Sequence, residues 1–488
     1  MKSLNSNFSG AGVASIAINT MYLIGTRWFN QAVRLIYAIA LAHYLGPELY
    51  GLICYGISWY LTFLPLTGFG IAAILSREIG RERNSGPRIT SLTLTLRSST
   101  AIIAAVTSGI LGWFFETRPD VRIILIVFSI ALVGRSIDAW TGAVFNAYEV
   151  NRFTFRIQAV FRTLECVVGT ALLIGGGGAM AVALVHAISW WLQALSGLEL
   201  IRRRIVTIRL NWSWHELRDL IAKGLPLGFE FFMMTWLQTG VLVLFRHIAG
   251  SGNSLGQLAL AMQAFVVMSS ISTAAGMASL PVLSRSVARQ DGKDLFFIMT
   301  SMKATFIFGG VAGLTALGGG PWLVDLIFGT RYIEAGHLLG LVMWLFIPFT
   351  CAITIGRVYL AMEQYLLLAV CSGAGALVFT LTVPWLVSFL DTKGAVIAAG
   401  AGMVVWASIL LWSLARSGEL DVYQTVFRSL LMILMALGVF YTLRPVNALL
   451  ALIMGWGTLL SGALLFGVIT KDEQRDLLMH LKRRWSSS

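Results

Sequence analysis

Ile74-Leu75-Ser76-Arg77-Glu78-Ile79-Gly80-Arg81-Glu82 returns in degraded form as Val282-Leu283-Ser284-Arg285-Ser286-Val287-Ala288-Arg289-Gln290. Four of the nine positions are identical, and each copy closes a long apolar run with a basic cluster. Two further pairs keep the register. Phe115-Glu116-Thr117-Arg118 resembles Phe328-Gly329-Thr330-Arg331, and Ala147-Tyr148-Glu149 resembles Ala361-Met362-Glu363. The three offsets are 208, 213 and 214 residues. One match alone is weak; three in register argue that the chain was built twice. A duplicated membrane bundle suits the movement of something between its two halves.

Composition sets the class. Of the 488 residues 57% are hydrophobic and 12% charged, against roughly 25% charged in a soluble domain. Apolar runs of bilayer-crossing length, about 20 residues, recur throughout. Fourteen are expected, near 14–42, 52–75, 91–115, 122–146, 157–178, 179–200, 224–249, 257–281, 296–319, 336–360, 365–387, 394–415, 424–443 and 446–469. Lipid offers no partner to an unpaired amide, so these runs must be helices. The predicted fold is an all-α polytopic membrane protein: two pseudo-repeated six-helix lobes plus two C-terminal helices. Residues 1–200 form the first lobe, 201–223 a linker, 224–415 the second lobe, 416–470 the two additional helices and 471–488 a basic tail. Each six-span block is even, so the halves share one orientation and a pseudo-axis along the membrane normal. A polar start and a first span with two arginines leave no cleavable signal peptide evident.

With the N-terminus inside, the cytoplasmic segments hold 23 cations and the outward loops six: Arg118, Arg122, Arg246, Arg331, Lys393 and Arg444. That bias is the positive-inside pattern for an even number of spans with both termini in the cytoplasm. It accounts for the net charge of +13 as topology and argues against a nucleic-acid partner. The linker carries Trp212 and Trp214, with Ser213 and Glu216 at capping-box spacing before Leu217, Leu220 and Ile221. This pattern predicts a short amphipathic helix lying on the inner leaflet. The tail repeats it with Thr470, Glu473, Leu477, Leu478, Leu481 and the Lys482-Arg483-Arg484 cluster.

Charge inside the spans is the chemical signal. Arg27, Asn30, Gln31 and Arg34 project from one face of the first helix, with Thr20 on the same stripe. A charge at the bilayer centre costs at least about 2.5–3.5 kcal/mol, so the stripe lines a cavity unless acids on neighbouring helices neutralise it. Arg135 lies mid-span. Arg135 with Asp138 and Arg162 with Glu165 are i, i+3 pairs, read either as self-neutralising or as functional. Arg97, Arg162 and Arg357 lie near span ends, where snorkelling is the simpler reading. The second half offers Glu230, Lys303 and Arg357. The net-positive interior suits an anion, and arginine suits phosphate oxygens. Glu230 and Asp138 are the candidate ion-coupling acids, Glu230 being read either as such or as a hydrogen-bond acceptor.

Several classes are absent. No GxxxxGK[ST] phosphate loop occurs. No Cys- or His-rich metal cluster occurs, so neither metal nor cofactor is expected, and His186 alone in its span reads as packed. Cys54, Cys166, Cys351 and Cys371 read as apolar fillers without disulfides. No loop exceeds about twenty residues, too short for a catalytic domain, so an enzyme is not expected. Pro65, Pro226, Pro281, Pro348 and Pro384 in or near spans allow bending.

Ala42-His43-Tyr44-Leu45-Gly46-Pro47-Glu48-Leu49-Tyr50-Gly51 closely resembles the loop after the first helix in the polysaccharide transporter family, the O-antigen and exopolysaccharide flippases. That family belongs to the multidrug, oligosaccharidyl-lipid and polysaccharide exporter superfamily. Ser76-Arg77-Glu78, Lys223-Gly224-Leu225-Pro226, Pro281 with Leu283-Ser284, and Phe328-Gly329 with Tyr332 and Ala335 resemble shorter, looser family features. The resemblance covers essentially the whole chain. It implies a flippase for undecaprenyl-diphosphate-linked oligosaccharide in the bacterial inner membrane, working by alternating access through a cationic central cavity. In that reading Arg27, Asn30, Gln31, Arg34 and Arg135 meet the diphosphate, while Arg162, Glu165 and Lys303 are secondary cavity charges. A polysaccharide polymerase and glycosyltransferases are the implied partners. Many members carry an acid deeper in span seven, where this chain offers Glu230 near the inner end. A lipid II flippase, a multidrug antiporter of the same superfamily, and a non-transporting scaffold of an assembly complex are the alternatives.

Overall fold

The computed structural model describes residues 5–68, 70–82, 86–208, 212–250, 252–289, 293–416 and 420–468. Lys2, Arg83, Arg209 and the amphipathic tail lie outside the described residues, as do the side chains of Arg77, Arg81, Lys223 and Lys293. Among the described residues the chain is helical and has no strand. The helices are α1 (Asn5–Phe63), α2 (Ile71–Arg81), α3 (Gly86–Phe115), α4 (Pro119–Ala147), α5 (Arg152–Ile174), α6 (Ala179–Arg204) and α7 (Trp214–Ala249). Then come α8 (Asn253–Arg289), α9 (Lys293–Phe328), α10 (Ile333–Val342), α11 (Phe346–Ala361), α12 (Tyr365–Arg416), α13 (Leu420–Leu443) and α14 (Ala448–Leu465).

Among the described residues, twelve helical stretches are long and apolar enough to cross a membrane. Two of them, Ile18–Thr67 of 50 residues and Tyr365–Arg416 of 52 residues, are about twice the length one crossing needs. Each folds across a kink, at Gly46 (φ 71°) and at Asp391 (φ 50°). Twelve stretches, two of them double, make the fourteen spans read from the sequence. The first kink follows from Gly46-Pro47. Glycine takes the left-handed backbone without a Cβ penalty, and proline at the start of the next helix sacrifices no needed amide.

The chain divides into two compact units, Met1–Ala259 and Leu260–Ser488. In the first, α4 packs between α3 and α6, and α1 packs against α5 and α7. The span expected at 52–75 is not one helix. It breaks at Pro65 into a 3-10 turn, Leu64–Thr67, and resumes at Ile71 after Gly70 in the left-handed region. At Gly51 and Gly256 two backbones touch: a Cβ on Gly51 would sit 2.6 Å from the Gly256 nitrogen.

The linker differs from its expected form. α6 runs to Arg204, and Trp214 begins one continuous 36-residue helix, α7. Leu217 and Leu220 are buried in a core with Leu75, Ile79, Leu92, Trp140 and Ile201. The apolar stripe is therefore satisfied by protein rather than lipid, while Trp212 and Trp214 remain exposed. Ser213 stands at the N-cap but makes no side-chain cap bond there. Glu216 instead receives a hydrogen bond from Arg88, at 2.5 Å.

In the second unit α9 packs against α10, α11, α13 and α14, and α11 against α12. Phe265, Phe349 and Trp406 form a buried edge-to-face aromatic cluster. The duplication survives in two turns. α4 and α11 both end at alanine, and the residue two on, Glu149 or Glu363, has φ 59°. Val150 N–H donates to Phe145 O at 2.8 Å, and Gln364 N–H to Tyr359 O at 3.0 Å, the same Schellman closure twice. In the opening repeat Leu75 and Leu283 are both buried, and Arg285 and Arg289 are exposed.

Candidate functional site

The charged residues of the first unit are drawn together by four helices. From α5, Arg162 Nη1 donates to Glu165 Oε2 at 2.5 Å, so this i, i+3 pair is made. Glu165 Oε1 lies 2.6 Å from His186 Nδ1 on α6. His186 Nε2 lies 3.0 Å from the Tyr60 hydroxyl on α1 and also receives the indole N–H of Trp190 at 3.0 Å. Arg135 on α4 donates to the same Tyr60 oxygen at 3.0 Å. The Arg162 and Arg135 guanidiniums lie 3.5 and 4.5 Å from the centroid of the Trp190 ring. Placing both on one indole is favourable because its π face attracts cations, the more so away from water.

Arg135 and Asp138 do not form the pair their spacing allows. Arg135 turns to Tyr60 and Trp190, while Asp138 accepts from Gln158 Nε2 at 3.3 Å. Gln158 Oε1 in turn accepts from Asn30 Nδ2 at 2.6 Å, which ties the α1 stripe to α4 and α5. Arg34 on α1 is exposed, within electrostatic reach of Arg135 and Tyr60. Gln31 is half-buried beside Asn30; Arg27 is exposed and joins none of these bonds. Arg162 Nη2 and Asn30 Oδ1 are buried with no hydrogen-bond partner among the described residues.

The remaining candidates lie elsewhere. Glu230 is buried on α7. Lys303 is half-buried on α9 in the second unit. Among the described residues no group of three or more His, Cys, Asp or Glu side chains forms a metal site.

Three features escaped the sequence reading. Neither His186 nor Tyr60 was singled out for function, yet they join the two arginines. A signal existed for His186. Glu165 is ten residues before Gly175 and His186 eight after Gly178, so a helical hairpin closed by that glycine turn sets them at nearly equal depth. Arg97 does not snorkel. It is buried and donates through Nε to Ser136 O and Oγ at 3.1 and 2.8 Å. Its Nη1 would lie 2.7 Å from a Cβ on Gly68, at the break in the second span. Arg246, counted among outward loop cations, is buried too. It donates to Glu116 Oε1 at 2.9 Å, and Glu116 also accepts the backbone N–H groups of Thr117 and Arg118.

No curated protein matches the chain by sequence. Among solved structures, the chain is similar to the lipid II flippase MurJ in an inward closed conformation, with TM-score 0.68 and 13% identity over 94% of this chain and 100% of that one. It is similar to an inward-facing multidrug resistance MATE family transporter of the MOP superfamily, with TM-score 0.63 and 15% identity over 80% and 95%. A MOP superfamily transporter from Pyrococcus furiosus gives TM-score 0.59 and 14% identity over 84% and 96%. At these identities the likeness establishes a shared fold. The family itself rests on sequence, since the family model of polysaccharide biosynthesis proteins matches residues 16–287. That match contains Arg135, Arg162, Glu165, His186 and Tyr60, and the chain belongs to the polysaccharide biosynthesis protein family.

Proposed function

We propose that this protein is a flippase that carries an undecaprenyl-diphosphate-linked oligosaccharide across the bacterial inner membrane, for the assembly of a surface polysaccharide. The observation that carries this reading is Arg135. It sits in the middle of an apolar helix, half-buried, and bonds a phenol and an indole face rather than a carboxylate. An intramembrane guanidinium that hydrogen-bonds no carboxylate is open to a counter-anion. A diphosphate supplies two charges and several oxygens suited to the guanidinium fork. Arg34, Asn30, Gln31 and Arg27 continue the polar surface along α1, so the diphosphate meets cations and amides over about two helical turns.

A cation-exporting antiporter is disfavoured because the two acids here are already engaged, Glu165 by Arg162 and His186 and Asp138 by Gln158. The test replaces Arg135 or Arg34 by Ala in the producing cell. Loss of one charge-assisted contact, about 1.5–3 kcal/mol, corresponds to a fall in export of roughly tenfold or more, with lipid-linked oligosaccharide accumulating on the inner leaflet. Wild-type export in both variants would overturn the assignment and return the scaffold reading. An R135K variant separates point charge from multidentate contact.

A further inference from the structure

The indole N–H of Trp190 can only donate. Because it points at His186 Nε2 at 3.0 Å, that nitrogen carries the lone pair, and the ring proton is on Nδ1, donated to Glu165 Oε1. The Tyr60 oxygen accepts from Arg135, which leaves its own O–H for the same Nε2. The hydrogen bonds therefore run in one direction, Arg135 to Tyr60 to His186 to Glu165, and they hold the imidazole neutral. The charged groups around the ring are Glu165 and Arg162 from α5 and Arg135 from α4. Asp138 on α4 is turned to Gln158, and Tyr60 on α1, Trp190 on α6 and the edge-packed Phe128 on α4 lie against the ring.

We propose that His186 is a proton-binding site linked to the anion site, so that a proton on Nε2 and a diphosphate beside Arg135 each strengthen the binding of the other. This rests on the reading of Arg135 as an anion ligand. The proton adds to the Nε2 lone pair. Tyr60 then changes from donor to acceptor on that bond, and the Trp190 N–H loses its acceptor. Three cations, Arg135, Arg162 and His186, would then face two carboxylates, Glu165 and the Asp138 that Gln158 holds, a net charge of one positive. In a buried cluster that arrangement is costly until a further anion arrives. The released indole matters as well, because its ring carries both guanidiniums, so freeing Trp190 lets Arg135 and Arg162 re-aim toward a phosphate. By linkage the effect is reciprocal: an anion that favours the imidazolium is itself bound more tightly when the imidazolium is present.

The test uses the full-length protein in detergent and a short-chain prenyl diphosphate glucoside, in which each phosphorus carries one ester and the shared anhydride bond and holds no titratable proton near neutrality. Its affinity is measured from pH 5 to 8. The wild type is expected to bind more tightly as pH falls, by up to about tenfold per pH unit, the limit for one linked proton. H186N keeps an N–H for Glu165 and is expected to bind with no pH slope. W190F keeps the ring but removes the donor that pins Nε2, and it is expected to move the midpoint to higher pH. Binding that is flat in the wild type, or a slope that persists in H186N, overturns the proton linkage and leaves the flippase reading standing. Absence of binding at every pH, in a protein whose melting is cooperative, overturns the anion site and this proposal with it.

Discussion

Trp190 and Trp406 lie 216 residues apart, close to the 213 and 214 offsets of the repeated turns, and their surroundings differ. In the first unit the ring lies beside the guanidiniums of Arg135 and Arg162. In the second it meets Phe349, ring centroids 6.1 Å apart. Phe349 is the residue 214 positions after Arg135, the offset set by the two Ala–x–Glu turns. The residue four before the indole follows suit, His186 in one unit and Gly402 in the other. Trp190 N–H therefore finds an imidazole acceptor, whereas Trp406 Nε1 is buried without a hydrogen-bond partner among the described residues. The lesson is that duplication copied the frame, turns included, while the lining was free to change. Around these two indoles, the first unit has an ionic cluster and the second a set of aromatic rings.

The strongest way to break the comparison is to attack the ionic side where it is most buried. Glu116 and Arg246 have side chains 4% and 5% exposed and hydrogen-bond twice, at 3.2 and 2.9 Å. Neutralising one partner strands the other charge, which costs about 3–5 kcal/mol. Glu116→Gln is therefore expected to lower the melting temperature in detergent more than any exposed charge change, with loss of folded protein a second readout. The corresponding position in the second repeat, Gly329, carries no side chain at all. If Glu116→Gln melts like the wild type, the ionic unit does not depend on its buried pairs.

The two tryptophans sharpen the contrast. Trp190→Phe loses a hydrogen bond to His186 and part of its attraction for two guanidiniums, about 1–2 kcal/mol together. Trp406→Phe removes an orphaned buried N–H as well as some packing area, effects of opposite sign, so its stability should lie within about 1 kcal/mol of the wild type. Chemical denaturation of the two variants in one detergent checks the order. Equal losses would mean that the imidazole bond contributes nothing to the fold.

Much of this architecture was legible. Apolar run length found the spans, and the Ala147–Glu149 and Ala361–Glu363 echo proved to be the same turn. What escaped depended on three-dimensional neighbours. The break at Pro65 was readable as a proline, but its packing against Arg97 was not, because the contact joins residues about thirty positions apart. Arg135 could have paired with Asp138 by spacing; an aromatic ring on another helix decided otherwise. The stripe of Leu217 and Leu220 had the right period for an amphipathic helix, yet periodicity cannot say whether lipid or protein covers the apolar face.

The smallest expected effect comes from that same helix and limits how far the ionic comparison extends. Arg88 and Glu216 are bonded at 2.5 Å with side chains 71% and 31% exposed. The Arg88 guanidinium holds the Glu216 carboxyl below the usual carboxylate range. A depressed carboxylate contributes stability above its unfolded pKa, near 4.3, and loses it as pH falls through the lower folded value. Across pH 5 to 8 the contribution of Glu216 is therefore constant, and water and salt screen it strongly. Glu216→Gln should leave the melting temperature unchanged across that range, and any difference between low and high salt should be near zero. A melting shift comparable to that of Glu116→Gln would show that exposed and buried pairs are not separated by desolvation, the physical premise of the contrast between the ionic interior and its rim.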